Sequence, residues 1–177
     1  MDARSRFEEM YRAHADAVAT YARRRSDAQT ADEVVGDVFL VVWRRLEEVP
    51  EDPLPWLLGV ARRVLANRRR TVARERALHG RIRSTLADLV TETQAGADTD
   101  EAVRDALRRL DERDREVLLL VAWEGLTPAQ GAAVLGVRPN TFSTRLSRAR
   151  QRFQRALAAE PTASISESKA TTTEPSR

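Results

Sequence analysis

The side chains best suited to chemistry in this chain are arginines. Of 30 basic residues among 177, Lys169 is the lone lysine. A guanidinium is planar, stays charged and offers paired N–H donors, a fork that fits phosphate oxygens and the edge of guanine. Six arginines between Arg138 and Arg155 face no acid, and nine between Arg62 and Arg83 face only Glu75. Between Asp27 and Pro53 the balance reverses, with eight acids against Arg44 and Arg45. The total charge of +3 hides this separation. Blocks of opposite sign fit a protein that meets phosphate with some faces and a basic partner with another.

Other chemistries find little support. Zero cysteines exclude a disulfide scaffold, a cysteine nucleophile and thiolate zinc sites. His14 and His79 are the two histidines, too few for a histidine-based metal centre. There is no glycine loop to cradle a phosphate and no paired nucleophile and base. Glu8, Glu9 and His14 share one helix and read as surface and core. The expectation is a protein that is not an enzyme, with no cofactor, no metal and no small-molecule substrate. No apolar run reaches the roughly 20 residues of a membrane span, and Met1-Asp2-Ala3-Arg4 starts no signal peptide. A cytoplasmic protein is expected.

The elements that must position these arginines are helical, because apolar residues recur with helical period and no stretch alternates for long. Phe7, Met10, Tyr11, His14, Val18 and Tyr21 form one stripe of a first helix. Thr30-Ala-Asp-Glu33 has the form of a capping box and opens a second, whose apolar side is Val34, Val35, Val38, Phe39, Val42 and Leu46. Pro50, Pro53 and Pro55 interrupt the chain before a third helix, which carries Trp56, Leu57, Val60, Val64 and Leu65 and runs into the first arginine block. The pattern fades from 78 to 100 and returns at Glu101 with Val103, Leu107 and Leu110, after which Asp111 can cap another helix. Residues 160–177 are rich in Ser, Thr and Glu, with too little apolar surface to offset ordering entropy.

The second arginine block sits on a motif with a mechanism. Thr127 can cap a short helix, Pro128 fits its first turn and Gln130 completes a capping box. Gly136 can take the left-handed conformation that ends it, and Pro139 opens the next helix. Phe142, Leu146, Ala149 and Phe153 point one way from that second helix, and Asn140, Ser143, Thr144, Ser147 and Arg148 point the other. This describes a DNA-reading helix-turn-helix. Arg138, Asn140, Ser143 and Thr144, near the start of the recognition helix, are the candidates for base edges; Arg145, Arg148 and Arg150 are placed to hold phosphates. Thr141 and Ser147 complete the DNA-facing set. Gly131 is the odd residue, costing roughly 1 kcal/mol against alanine inside a helix.

The chain resembles a bacterial RNA polymerase sigma factor of the extracytoplasmic-function group in the sigma-70 family. Tyr21-Ala22-Arg23-Arg24-Arg25, then Ala31 through Leu40 and Trp43-Arg44, resemble the family's region two, and Trp56 through Arg63 resemble its promoter-melting segment. Glu124 through Thr127, Gly136-Val137 and Thr141 through Arg150 resemble region four, though the family's usual large aliphatic residue is missing at Gly131. The resemblance implies an all-α protein of two small helical domains joined by a flexible linker, the second a helix-turn-helix domain. The implied division is 1–77 for region two, 78–100 for the linker, 101–159 for region four and 160–177 for a disordered tail. Asp32, Asp37, Phe39 and Trp43 would dock on the clamp helices of the polymerase's largest subunit, and the core polymerase's flap would be the other docking site. Arg62, Arg63, Asn67, Arg68 and Arg69 would bind the minus-ten promoter element and its displaced strand, and region four would read the minus-thirty-five element. An anti-sigma protein would hold the factor inactive. The alternative reading is a stand-alone helix-turn-helix regulator whose first half is a dimerisation module.

Overall fold

The computed structural model describes residues 2–78 and 101–159. The expected linker, apart from Leu78, and the expected tail lie outside them. Among the described residues there is no strand; seven α-helices and one short 3-10 turn make up the fold. They are α1 (Ala3–Arg23), α2 (Ala28–Arg44), a 3-10 turn (Leu46–Glu48), α3 (Pro53–Leu78), α4 (Glu101–Arg108), α5 (Glu112–Ala122), α6 (Pro128–Leu135) and α7 (Pro139–Ala158). No helix among them is long and apolar enough to cross a membrane.

The first three helices follow their stripes. Val18 and Tyr21 of α1, Val34, Val38 and Val42 of α2, and Leu57, Ala61 and Leu65 of α3 are all buried together. Two local features differ from the sequence expectation. The cap of α2 is Asp27, not Thr30: the Thr30 amide donates to Asp27 Oδ1 (2.8 Å) and the Thr30 hydroxyl donates to Asp27 Oδ2 (2.7 Å). Both residues suit a cap, but Asp27 brings a full charge to the positive end of the helix and adds one turn. Pro53 and Pro55 also lie inside α3. In a first turn the missing proline N–H costs nothing, since those amides have no intrahelical partner.

In the second set of helices the expected caps are in place. The Asp114 amide donates to Asp111 Oδ1 (2.8 Å) at the start of α5. Thr127 and Gln130 close a reciprocal capping box on α6, and Gly136 ends it at φ +65°. Gly131 then finds its explanation. A Cβ built there would lie 2.7 Å from Phe142 Cε2 and closer still to Cζ. The ring of Phe142, fully buried on α7, fills the space that a side chain on α6 would take.

The two sets share one apolar core. Leu57, Leu58 and Val60 of α3 belong to the same buried cluster as Leu120 of α5, Val134 of α6 and Leu146 of α7. α3 is therefore covered on two sides, by α1 and α2 on one and by α6 on the other. That second cover explains why Leu58 is buried although it falls off the expected stripe. Gly59 lets α3 come close to α6: a Cβ there would already touch Val134 O at 3.5 Å.

Candidate nucleic-acid interface

α7 presents the helix-turn-helix face that its sequence describes. Arg138 is the N-cap residue, exposed and making no capping bond through its side chain. Asn140, Thr141, Ser143, Thr144, Arg145, Ser147 and Arg148 are all exposed, while Phe142, Leu146 and Ala149 are buried on the opposite side. The eight candidates thus share the solvent side of one helix, held by its buried side against α5 and α6. Thr144 is partly occupied, since its hydroxyl donates to Asn140 O (2.9 Å). Arg150 is exposed too. Arg152 turns the other way, pairing with Asp111 (3.4 Å) and with buried Asp114, and so ties α7 to the start of α5.

The α3 arginines divide into free and engaged ones. Arg62 and Arg63 are exposed. Asn67 is exposed and accepts a bond from Arg70 (2.6 Å). Arg68 reaches back to α2, where it bonds Asp37 (2.6 Å) and Glu33. Those two carboxylates raise the Arg68 pKa. Arg69 donates to Glu112 (3.1 Å) and to the backbone oxygen of Arg25 (3.0 Å). Two of the five candidates on α3 are therefore held by protein acids in this arrangement.

On α2 the four residues expected at a protein partner are spread over different environments. Asp32 is exposed with Arg23 at 3.6 Å, and Asp37 is held by Arg68. Phe39 is only 3% exposed, packed edge-on against Phe7 and Tyr11. Trp43, at 52%, stands clear, with Phe7 against it edge-on. Leu40 is more exposed still, at 55%, and was not singled out from sequence. Its signal was legible: three positions before Trp43, it lies off the valine stripe.

A fourth cluster joins residues that no sequence pattern pairs with one another. Arg25 lies buried at the end of α1, with the Tyr21 ring 3.6 Å from its guanidinium carbon. Its Nε donates to Glu116 (3.1 Å) and its Nη1 to Glu124 (3.0 Å) and to Tyr21 O (3.1 Å). Arg24 donates to Glu124 (3.0 Å) and to Trp123 O (3.1 Å), with its guanidinium over the Trp123 ring. The Tyr21 hydroxyl donates to Glu116 (2.9 Å). Burial pushes the Tyr21 pKa far up, so the phenol keeps the proton it donates. Burial by itself would lower the Arg25 pKa, but Tyr21, Glu116 and Glu124 outweigh it and the value is raised. Arg25 Nη2 is buried without a hydrogen-bond partner among the described residues. An unmet donor of this kind costs about 1–3 kcal/mol.

No group of three or more His, Asp or Glu side chains among the described residues could hold a metal ion. Residues 10–75 match the family model for Sigma-70 region 2, and residues 100–153 match that for Sigma-70, region 4. Among similar proteins, the RNA polymerase sigma factor NccH of Alcaligenes xylosoxydans xylosoxydans is 26% identical over 156 residues, spanning 83% of this chain and 84% of NccH. The ECF RNA polymerase sigma factor SigL of Mycobacterium tuberculosis is 29% identical over 142 residues, spanning 77% of this chain and 80% of SigL. The solved structure of CnrH in complex with the cytosolic domain of CnrY superposes with a TM-score of 0.58 at 26% identity, covering 88% of this chain and 89% of that one. The two matched segments cover well over half of the chain, in the family's order, and the second carries the helix-turn-helix face of α7. The chain belongs to the extracytoplasmic-function group of the sigma-70 family, the factors that direct RNA polymerase to promoters.

Proposed function

We propose that this sigma factor is a non-catalytic, cytoplasmic subunit that docks on core polymerase, reads two promoter elements and helps open the duplex between them. Residues 1–77 act as region two, 78–100 as the linker, 101–159 as region four and 160–177 as a tail. The observation that carries the reading is the α7 face, where Arg138, Asn140, Thr141, Ser143, Thr144, Arg145, Ser147 and Arg148 are all exposed above a buried apolar seam. That face suits the minus-thirty-five element in a major groove. Arg62, Arg63 and Asn67 are exposed toward the minus-ten element, Asn67 with Arg70 on its side-chain oxygen, and Arg68 and Arg69 join them once released by their acids.

Docking on the polymerase clamp helices uses Asp32, Asp37 and Trp43, with Leu40 beside them. Phe39 supports that surface from within the core. The CnrH structure was solved with the cytosolic domain of CnrY bound, and an anti-sigma protein of similar kind is the proposed inhibitor here. The direct test mixes the purified chain with core polymerase and follows co-elution and initiation at defined sites on duplex DNA. Co-elution with defined starts is expected. Duplex binding without polymerase binding would instead leave a stand-alone regulator.

A further inference from the structure

The two halves of α7 are held by different means. Its first half is fixed by apolar contact: Phe142, Leu146 and Ala149 are buried, with the Phe142 ring in the notch at Gly131. Beyond Ala149 no residue of α7 is buried; Phe153 and Ala156 are half-buried and the others exposed. Polar bonds take over there. Arg152 Nη1 donates to Asp114 and to Asp111 (3.4 Å). Arg109, just after α4, donates to the backbone oxygens of Ala156 (3.3 Å) and Ala159 (3.1 Å), at the open carbonyl end of α7. The corner that makes these bonds is itself tied. Arg115 of α5 donates to Leu107 O (2.8 Å), Leu110 O (2.8 Å) and Arg108 O (3.2 Å) at the end of α4.

We propose that Arg152 is a positioning residue for recognition of the upstream promoter element: held by Asp114, with Arg109 on the last carbonyls, it sets the pitch at which α7 lies in the major groove, and it does not touch DNA. The inference rests on the sigma reading above and names what aims the recognition helix of that reading. Spacing alone puts Arg152 with the phosphate-holding arginines, since it follows Arg145 by seven residues and Arg148 by four, on one stripe of the helix. Its guanidinium is nevertheless occupied by two carboxylates at the start of α5. Asp114 is only 7% exposed, so its carboxylate cannot trade Arg152 for bulk water, and the charged bond is directional where an apolar contact is not.

Leverage gives the size of the effect. Phe142 and Arg152 lie ten residues apart, about 15 Å along the helix axis. With Phe142 as the pivot, a shift of about 3 Å at Arg152 tilts α7 by about 11°, the order at which a contact loses its productive geometry. Long arginine side chains such as Arg145 and Arg148 can follow phosphates through such a tilt. Base edges read through short side chains, Asn140 and Ser143 among them, cannot be followed in this way.

The test uses the full chain with core polymerase and two duplexes that share one minus-ten element. The first carries the upstream element preferred in selection from randomised duplexes, the second a scrambled one. Arg152→Met with Asp114→Leu leaves the net charge unchanged and no buried charge unpaired, a replacement that folds commonly tolerate. It should lower the ratio of the two affinities about tenfold, the discrimination of one good base contact. Binding to the scrambled duplex and the slope of affinity against salt should both stay as in the parent. Arg152→Lys, which keeps a cation for Asp114, should retain most of the discrimination. A general loss of stability would weaken both duplexes alike and leave their ratio, so it cannot imitate this result. An unchanged ratio, or a lysine that rescues nothing, overturns the proposal. So does a slope smaller by about one, which would make Arg152 a phosphate contact. If the double variant loses helix content by circular dichroism, Arg152→Gln is read by the same criteria. A parent chain that, with polymerase, does not distinguish the two duplexes would instead overturn the sigma reading itself.

Discussion

Replacing Gly131 by alanine sets two effects of similar size against each other. In an exposed helix the change stabilises by about 1 kcal/mol through backbone entropy. Here the new Cβ would sit 2.7 Å from Phe142 Cε2 and nearer to Cζ, where carbon atoms prefer about 3.5–4.0 Å. Something must move by roughly 1 Å. The ring is fully buried and cannot swing into solvent, so the strain passes to the α6–α7 angle. Overpacking of this kind costs about 1–3 kcal/mol, and the net is a destabilisation of about 1 kcal/mol, up to 2. For a core of this size that lowers Tm by roughly 3–4 °C per kcal/mol. Thermal or denaturant unfolding of the full chain measures it. Gly131→Ala should be better tolerated in a Phe142→Leu background, where the ring is gone, with a coupling of about 1 kcal/mol between the two sites. A higher Tm for Gly131→Ala alone, or strict additivity with Phe142→Leu, would refute the account of why this helix carries a glycine.

Charge reversal of Asp32 and Asp37 to Arg should abolish co-elution with core polymerase while leaving duplex recognition by residues 101–159 intact; unchanged polymerase affinity would remove these residues from the docking surface. Arg138→Ala and Thr144→Ala should change which upstream element is preferred, while Arg145→Ala should weaken binding to all duplexes alike and reduce the slope of affinity against salt by about one. Selection from randomised duplexes at two salt concentrations separates the two behaviours. Asp27→Ala removes the cap of α2 and should cost about 1 kcal/mol at neutral pH. The bonds that Asp27 accepts from the Thr30 amide and hydroxyl lower its carboxyl pKa. Its stabilisation is therefore fully present above the unfolded value near 3.9 and is lost as pH falls through the lower folded value. The variant's stability should depend less on pH in that acid window, and an unaltered acid limb in urea titrations would contradict the assignment.

Much of this molecule is legible without coordinates, and the legible part is local. Thr127 with Gln130, Gly136 and Pro139 mark the ends of α6 and α7 because caps and turns act within three or four residues. Phe142, Leu146 and Ala149 repeat at the helical period, so the buried side of α7, and by elimination its outward arginines, follow from spacing. The one misplaced cap, Thr30 for Asp27, lies between two residues of similar capping strength three positions apart. Tertiary structure alone decided that Phe142 fills the notch at Gly131, that Leu58 is buried beneath α6, and that Arg25 meets Glu116 and Glu124. A charge pair separated by some 90 to 100 residues leaves no periodicity in the chain. Whether an arginine holds DNA or a carboxylate of its own protein depends on which faces come together, and only the packed core brings those faces into contact.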